Sequence, residues 1–245
     1  MPLTSLMTLL GGLSMLGSWF FIGYRMKHSS HPVSQQVRLL RGYFLYMSIF
    51  CFIMFMPHLL LGTDPDRFSS AMAWGYVVGH IFCYIAFTIM LRLTFSMVPR
   101  LANKEAYAIA FGTIFIVAVT LINAKTMIYG TQPTYDLQNH VTLFNAAPVV
   151  GASIALFASV CVVPAAILFI INGIHNPSAR LRSLLLGGGM FVTMVAGPMH
   201  DVARSWQLYM AADIISILGI LLVTAGVVYR LEERIAPRVA ATHHA

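Results

Sequence analysis

Seven stretches of mostly apolar residues, separated by short polar connections, leave this chain of 245 residues few folds to choose from. They cover residues 3–24, 40–61, 71–98, 106–128, 144–171, 184–200 and 208–229. A helix rises about 1.5 Å per residue, so roughly 20 residues cross the ~30 Å hydrocarbon core of a bilayer. Lipid offers no partner to backbone N–H and C=O groups, and a helix satisfies nearly all of them within itself. Only 9% of the residues are charged, against about 25% in soluble domains. That is too little charge to cover a water-facing surface. The pattern predicts an all-α integral membrane protein, a bundle of seven transmembrane helices in one domain over residues 1–232, with a short tail over 233–245. The lipid bilayer is its first partner, and the expected location is the cell membrane, multi-pass.

The connections carry turn chemistry. Residues 62–66 read Gly-Thr-Asp-Pro-Asp, residues 130–139 mix Gly, Gln, Pro, Asp and Asn, and residues 176–178 read Asn-Pro-Ser. Such clusters stop and restart helices. The first apolar stretch is followed, not preceded, by positive charge (Arg25, Lys27). It lacks the basic start of a signal peptide and reads as a retained helix.

Net charge is +7. The basic residues sit at the ends of apolar stretches instead of forming a patch on a folded surface, which argues against nucleic acid as a partner. Their distribution predicts orientation. Arg25, Lys27, Arg38, Arg41, Arg92, Arg100, Lys104, Arg180, Arg182, Arg230, Arg234 and Arg238 fall on one side, and Arg67, Lys125 and Arg204 on the other. Positive loops stay in the cytoplasm. The N-terminus is therefore expected outside and the C-terminus in the cytoplasm.

Ionisable groups at membrane depth are costly, so each is a candidate for function. His58, His80, His200, Asp201 and Asp213, with Asn123 and Lys125, come from five helices and all fall in the predicted outer half. His58 follows Pro57, where a kink frees backbone groups that an imidazole can satisfy. His80 lies near the midplane, flanked at i−4 and i+4 by Tyr76 and Tyr84 on one helix face. Asp213 is too short to reach water and calls for a partner, with Lys125, Arg204 or a histidine as candidates.

Met54, Met56 and His58 cluster in sequence, as do Met194, Met199 and His200. Thioether and imidazole together suit Cu(I) or haem iron, although methionine also serves as an apolar gap-filler. Cys51, Cys83 and Cys161 lie inside apolar stretches without metal or disulfide spacing and read as small buried hydrophobes. Helix six carries Gly187-Gly188-Gly189 and Gly197-Pro198, which suit either tight helix packing or a hinge before His200.

No lysine occurs in the seventh stretch to hold a retinal Schiff base, and no HExxH or Walker motif is present. Three functions lead, ahead of an enzyme or a purely structural subunit of a larger complex. The outer residues His58, His80 and His200 could bind haem or copper for electron transfer or metal handling. A polar pocket of Tyr76, Tyr84, Asn123, Lys125, Asp201 and Asp213 could serve a seven-helix sensor or receptor for a small ligand, acting through a separate membrane or cytoplasmic protein. His80 and Asp213 could form the titrating pair of a proton-coupled transporter.

Overall fold

The computed structural model describes residues 3–29, 32–203 and 205–229, without the side chains of residues 3, 4, 201 and 202. Seven helices follow in chain order: α1 (Leu3–Lys27), α2 (Gln35–Phe55), α3 (Phe68–Met97), α4 (Glu105–Asn123), α5 (Pro148–His175), α6 (Arg180–Val202) and α7 (Trp206–Val228). All seven spans are long and apolar enough to cross a membrane, the architecture of a multi-pass membrane protein. The tail from residue 230 onward and Arg204 lie outside the described residues.

The helix ends follow local chemistry. The Ser34 hydroxyl accepts from Val37 N–H and starts α2, five residues before the apolar stretch begins. Pro57 stands at the first turn of a 3-10 segment, Met56–Gly62, that extends α2. Proline suits a first helical turn because its missing N–H is not needed there. Pro148 plays the same part at the start of α5. A π-helical turn, Ala124–Ile128, carries α4 onward.

Six helices close a ring in the order α1, α2, α3, α5, α6, α7 and back to α1, while α4 packs outside it, mainly on α3. Burial reflects this arrangement: 67% of the α3 span is buried, against 17% for α4. Two antiparallel strands, β1 (Thr134–Asp136) and β2 (Val141–Leu143), form a hairpin at one end of the ring, with Thr134 opposite Leu143. Three-residue strands are too short for a visible alternation, and the sequence there reads only as a turn-rich connection.

The two ends of the bundle differ in chemistry. At the hairpin end, β2 meets the start of α7 and the extension of α2. At the other end, Arg92 on α3 donates to Glu105 at the start of α4 (3.1 and 3.3 Å), and Gln35 on α2 donates to the same carboxylate. The basic connections gather at this second end, called here the basic end.

The glycines of α6 serve packing. A Cβ at Gly187 would come within 2.6 Å of Ala166 O on α5, and one at Gly189 within 2.7 Å of Val223 N on α7. Gly219 and Gly226 meet α6 from the opposite side. Backbones approach closely where side chains are absent, and in lipid that contact is a main source of helix association. Gly188 and Gly197 have open space around them. The two kinds of glycine should therefore respond oppositely. Gly189→Val should separate α6 from α7 and lower the melting temperature in detergent markedly. Gly188→Ala should be neutral or gain up to about 1 kcal/mol from helix propensity. Equal losses from both variants would contradict this packing.

Candidate functional site

A cavity of about 180 Å³ lies inside the six-helix ring and reaches up to the hairpin. His58, His80, His200 and Asp213 all line it, from α2's extension, α3, α6 and α7. The ring topology brings these four together. It also keeps α4 out, so Asn123 and Lys125 do not line the cavity.

Asp213 sits about two turns into α7, whose start is capped by Ser205. Its side chain is almost buried, and Oδ1 lies 2.8 Å from His200 Nε2. His200 occupies the last turn of α6, where its Nδ1 lies 3.0 Å from the Ala196 carbonyl. A carbonyl only accepts, so Nδ1 carries a hydrogen. The Nε2–Oδ1 contact then needs one more proton, held on either atom. Charged or neutral, the pair as a whole carries no net charge, which suits a low-dielectric site. Asp213 Oδ2 is buried without a hydrogen-bond partner.

His58 Nε2 lies 2.8 Å from the Thr142 hydroxyl on β2, and the buried ring also interacts with the backbone of Met54 and Phe55, with no hydrogen bond of full geometry at Nδ1. Thr142 is itself buried, so the hairpin bears on the cavity wall. Two further contacts fix it there. Phe144 N–H donates to the Tyr209 hydroxyl at 2.9 Å, and Val141 packs with Ala203 and Tyr209. The turn between the strands is held by Asp136, whose carboxylate accepts from Gln138 N–H, Asn139 N–H and the Asn139 amide. These bonds, the Asn139 side chain foremost, hold the Asp136 carboxyl below its usual range.

His80 donates from Nδ1 to the Tyr76 carbonyl at 2.8 Å and lies against the Tyr76 ring, centroids 3.9 Å apart. Its hydrogen bond goes to the backbone of the i−4 tyrosine, not to a flanking hydroxyl. Tyr84 belongs to another network: Asn123 donates to its hydroxyl at 3.0 Å, fastening α4 to α3. Lys125 is exposed on the π-helical turn. Asp213 has His200 as its ion-pair partner. The side chain of Asp201 lies outside the described residues.

Met54 and Met194 line the cavity, together with Met7, Met47 and Met190. Met56 instead faces outward, 58% exposed. Among the described residues no group of three or more His, Cys, Asp or Glu is placed to hold a metal ion. Thr142, Phe144 and Tyr209 are site residues that the sequence reading did not single out. Tyr209 had a signal, since it stands four residues before Asp213 on the same helix face. Thr142 had none, because its placement depends on the hairpin.

No protein-family model, no curated protein and no solved structure matches this chain.

Two outcomes test the site as drawn. Removing either member of a buried ion pair leaves its partner uncompensated, at a cost of about 3–5 kcal/mol. Asp213→Ala and His200→Ala should each destabilise on that scale, and the double variant should cost clearly less than their sum. Additive losses in thermal unfolding would remove the pair from this account. For the hairpin, a carboxyl held low in the folded state stabilises above its unfolded pKa of about 3.8. That contribution is lost as pH falls through the lower folded value. Amide exchange at Gln138 and Asn139, corrected for intrinsic rates, should accelerate in that acid window, and Asp136→Ala should accelerate it already at neutral pH.

Proposed function

We propose that this chain is a seven-helix membrane receptor for a small, ring-sized, largely apolar molecule that carries a hydrogen-bond donor. The observation that carries the reading is the cavity with the unpartnered Asp213 Oδ2 beside it. An engineered cavity of about 150 Å³ stays dry and binds benzene. A space of about 180 Å³ therefore suits one substituted ring. A buried polar atom left unsatisfied costs about 1–3 kcal/mol, so an occupant that donates to Oδ2 recovers that cost. Lipophilic molecules reach such a site through the bilayer.

In this reading the hairpin end faces outward and the basic end faces the cytoplasm, as the excess of positive charge at the basic end supports. Gly197 and Pro198 line the cavity immediately before His200. An occupant presses on that segment of α6, and α6 begins at Arg180 at the other end, where a cytoplasmic partner docks.

The same volume speaks against haem, whose macrocycle is several times the size of one ring. A copper ion is the second reading, favoured by the five methionines that line the cavity with His58 and His80. Thioether and imidazole are a fitting set for Cu(I). Proton-coupled transport has weaker support, because the carboxylate that would titrate is paired with His200 and not with His80.

The test uses purified protein with phenol, hydroquinone and benzene as probes, together with metal analysis. Phenol and hydroquinone should raise the melting temperature more than benzene. Saturation to 100 times Kd should stabilise by about 2.7 kcal/mol. Asp213→Asn should weaken the phenol response roughly tenfold, equivalent to about 1.4 kcal/mol. No response to any probe, with stoichiometric copper in the protein as purified, would replace the receptor reading with the metal one.

A further inference from the structure

Among the described residues, the basic end holds an arginine without an acid. Arg41 stands six residues into α2, about 9 Å along the axis from Gln35. Its guanidinium lies 4.6 Å from the centre of the Trp19 ring on α1. It also lies on the backbone of α1 at Gly23, where a Cβ would come within 2.8 Å of the guanidinium. Gly23 is thus the one residue type that admits this seat without displacing the cation.

A guanidinium carries five N–H donors, accepts nothing and stays charged. Arg41 Nε is buried without a hydrogen-bond partner. Among the described residues the ion pairs are Arg67–Asp64, Arg92–Glu105 and His200–Asp213, and none involves Arg41. Arg92, at the same end, has its carboxylate. The sequence gives α1 and α2 no such group: residues 1–63 contain Arg25, Lys27, Arg38 and Arg41 and not one Asp or Glu. Among the described residues no acid reaches Arg41, which leaves its seat open to an acceptor from another molecule.

Depth identifies its chemistry. Two turns in from a helix end is the level of the lipid headgroups, and a tryptophan at that level marks the interface. Phosphate oxygens there match the guanidinium fork with two parallel N–H···O bonds. We propose that Arg41, seated between Trp19 and Gly23 in the α1–α2 crevice, binds the phosphate of an anionic membrane lipid. The net negative headgroup is favoured over a zwitterionic one because α1, α2 and the connection between them carry four cations and no acid.

The experiment uses the full chain, delipidated in detergent. Native mass spectrometry and thermal shift are then read on adding phosphatidylglycerol, phosphatidylcholine or inorganic phosphate. Phosphatidylglycerol should be retained at least tenfold better than phosphatidylcholine and should raise the melting temperature. Inorganic phosphate at equal concentration should do neither; if it matches the lipid, the site is a free-anion site and the lipid assignment falls. Arg41→Gln should abolish the preference. Gly23→Ala keeps the charge but fills the seat, and should weaken retention several-fold in a protein that still folds. The variant Glu232→Gln/Glu233→Gln controls for the acids of the tail and should leave retention unchanged. An unaltered preference in both Arg41→Gln and Gly23→Ala, or loss of the preference in the tail variant, would overturn the proposal.

Discussion

The hydrocarbon core of a bilayer offers no hydrogen bonds, and that constraint governs most of this structure. It makes the seven helices obligatory and turns each polar side chain at membrane depth toward another part of the protein. Ser48 donates to Gly12 O across α1 and α2, and Asn123 to Tyr84 across α4 and α3. The hairpin obeys the same rule. Its strands lie where backbone groups would otherwise be exposed over the mouth of the ring, and Phe144 N–H ends on Tyr209. Few buried side-chain atoms among the described residues escape satisfaction: one each at Arg41, His58, Thr120, Asn123 and Asp213; of these residues, His58 and Asp213 line the cavity.

The helices were legible because each apolar stretch matches the thickness of a bilayer, and thickness is a property of the solvent, not of tertiary contacts. Their inner ends were less so. The start of α2 at Gln35 depends on Ser34 and contains Arg38 and Arg41, residues whose charge hides the helix from a hydropathy reading. The site was legible by residue type, since His58, His80, His200 and Asp213 are costly in lipid wherever they stand. Which of them meet was not. That depends on ring order, and helical periodicity does not say that α4 lies outside. Asn123 and Lys125 looked equivalent to the others in depth, and only the packing of α4 on α3 separates them. The same holds for Thr142, which reaches His58 through a hairpin too short to leave a pattern.

Close packing and open space are complementary in the ring. Along α6, Gly187 and Gly189 draw α5 and α7 to near contact, with no room for a methyl group. One to two turns further on, Thr193, Met194 and Gly197 face the cavity. A helix pinned so firmly at one level holds its neighbours at a fixed spacing at the next, which keeps the cavity from collapsing. The methionines around it act in the other direction. Their unbranched, polarizable side chains fit irregular space, so the frame is rigid while the lining yields.

The shared proton ties this cavity to the end of α6. With Nδ1 of His200 committed to Ala196 O, the second proton lies on Nε2 or on Asp213 Oδ1, and Oδ2 accepts in both states. An ionised carboxylate accepts roughly twice as strongly as a neutral group. A donor placed at Oδ2 therefore favours the ionised carboxylate and moves the proton to His200. The resulting imidazolium sits in the last turn of α6, where the helix dipole stabilises positive charge. On the proposed receptor reading, occupancy and proton position are then one linked equilibrium. It needs no net charge to enter the bilayer, and its strength is set by how well the occupant donates.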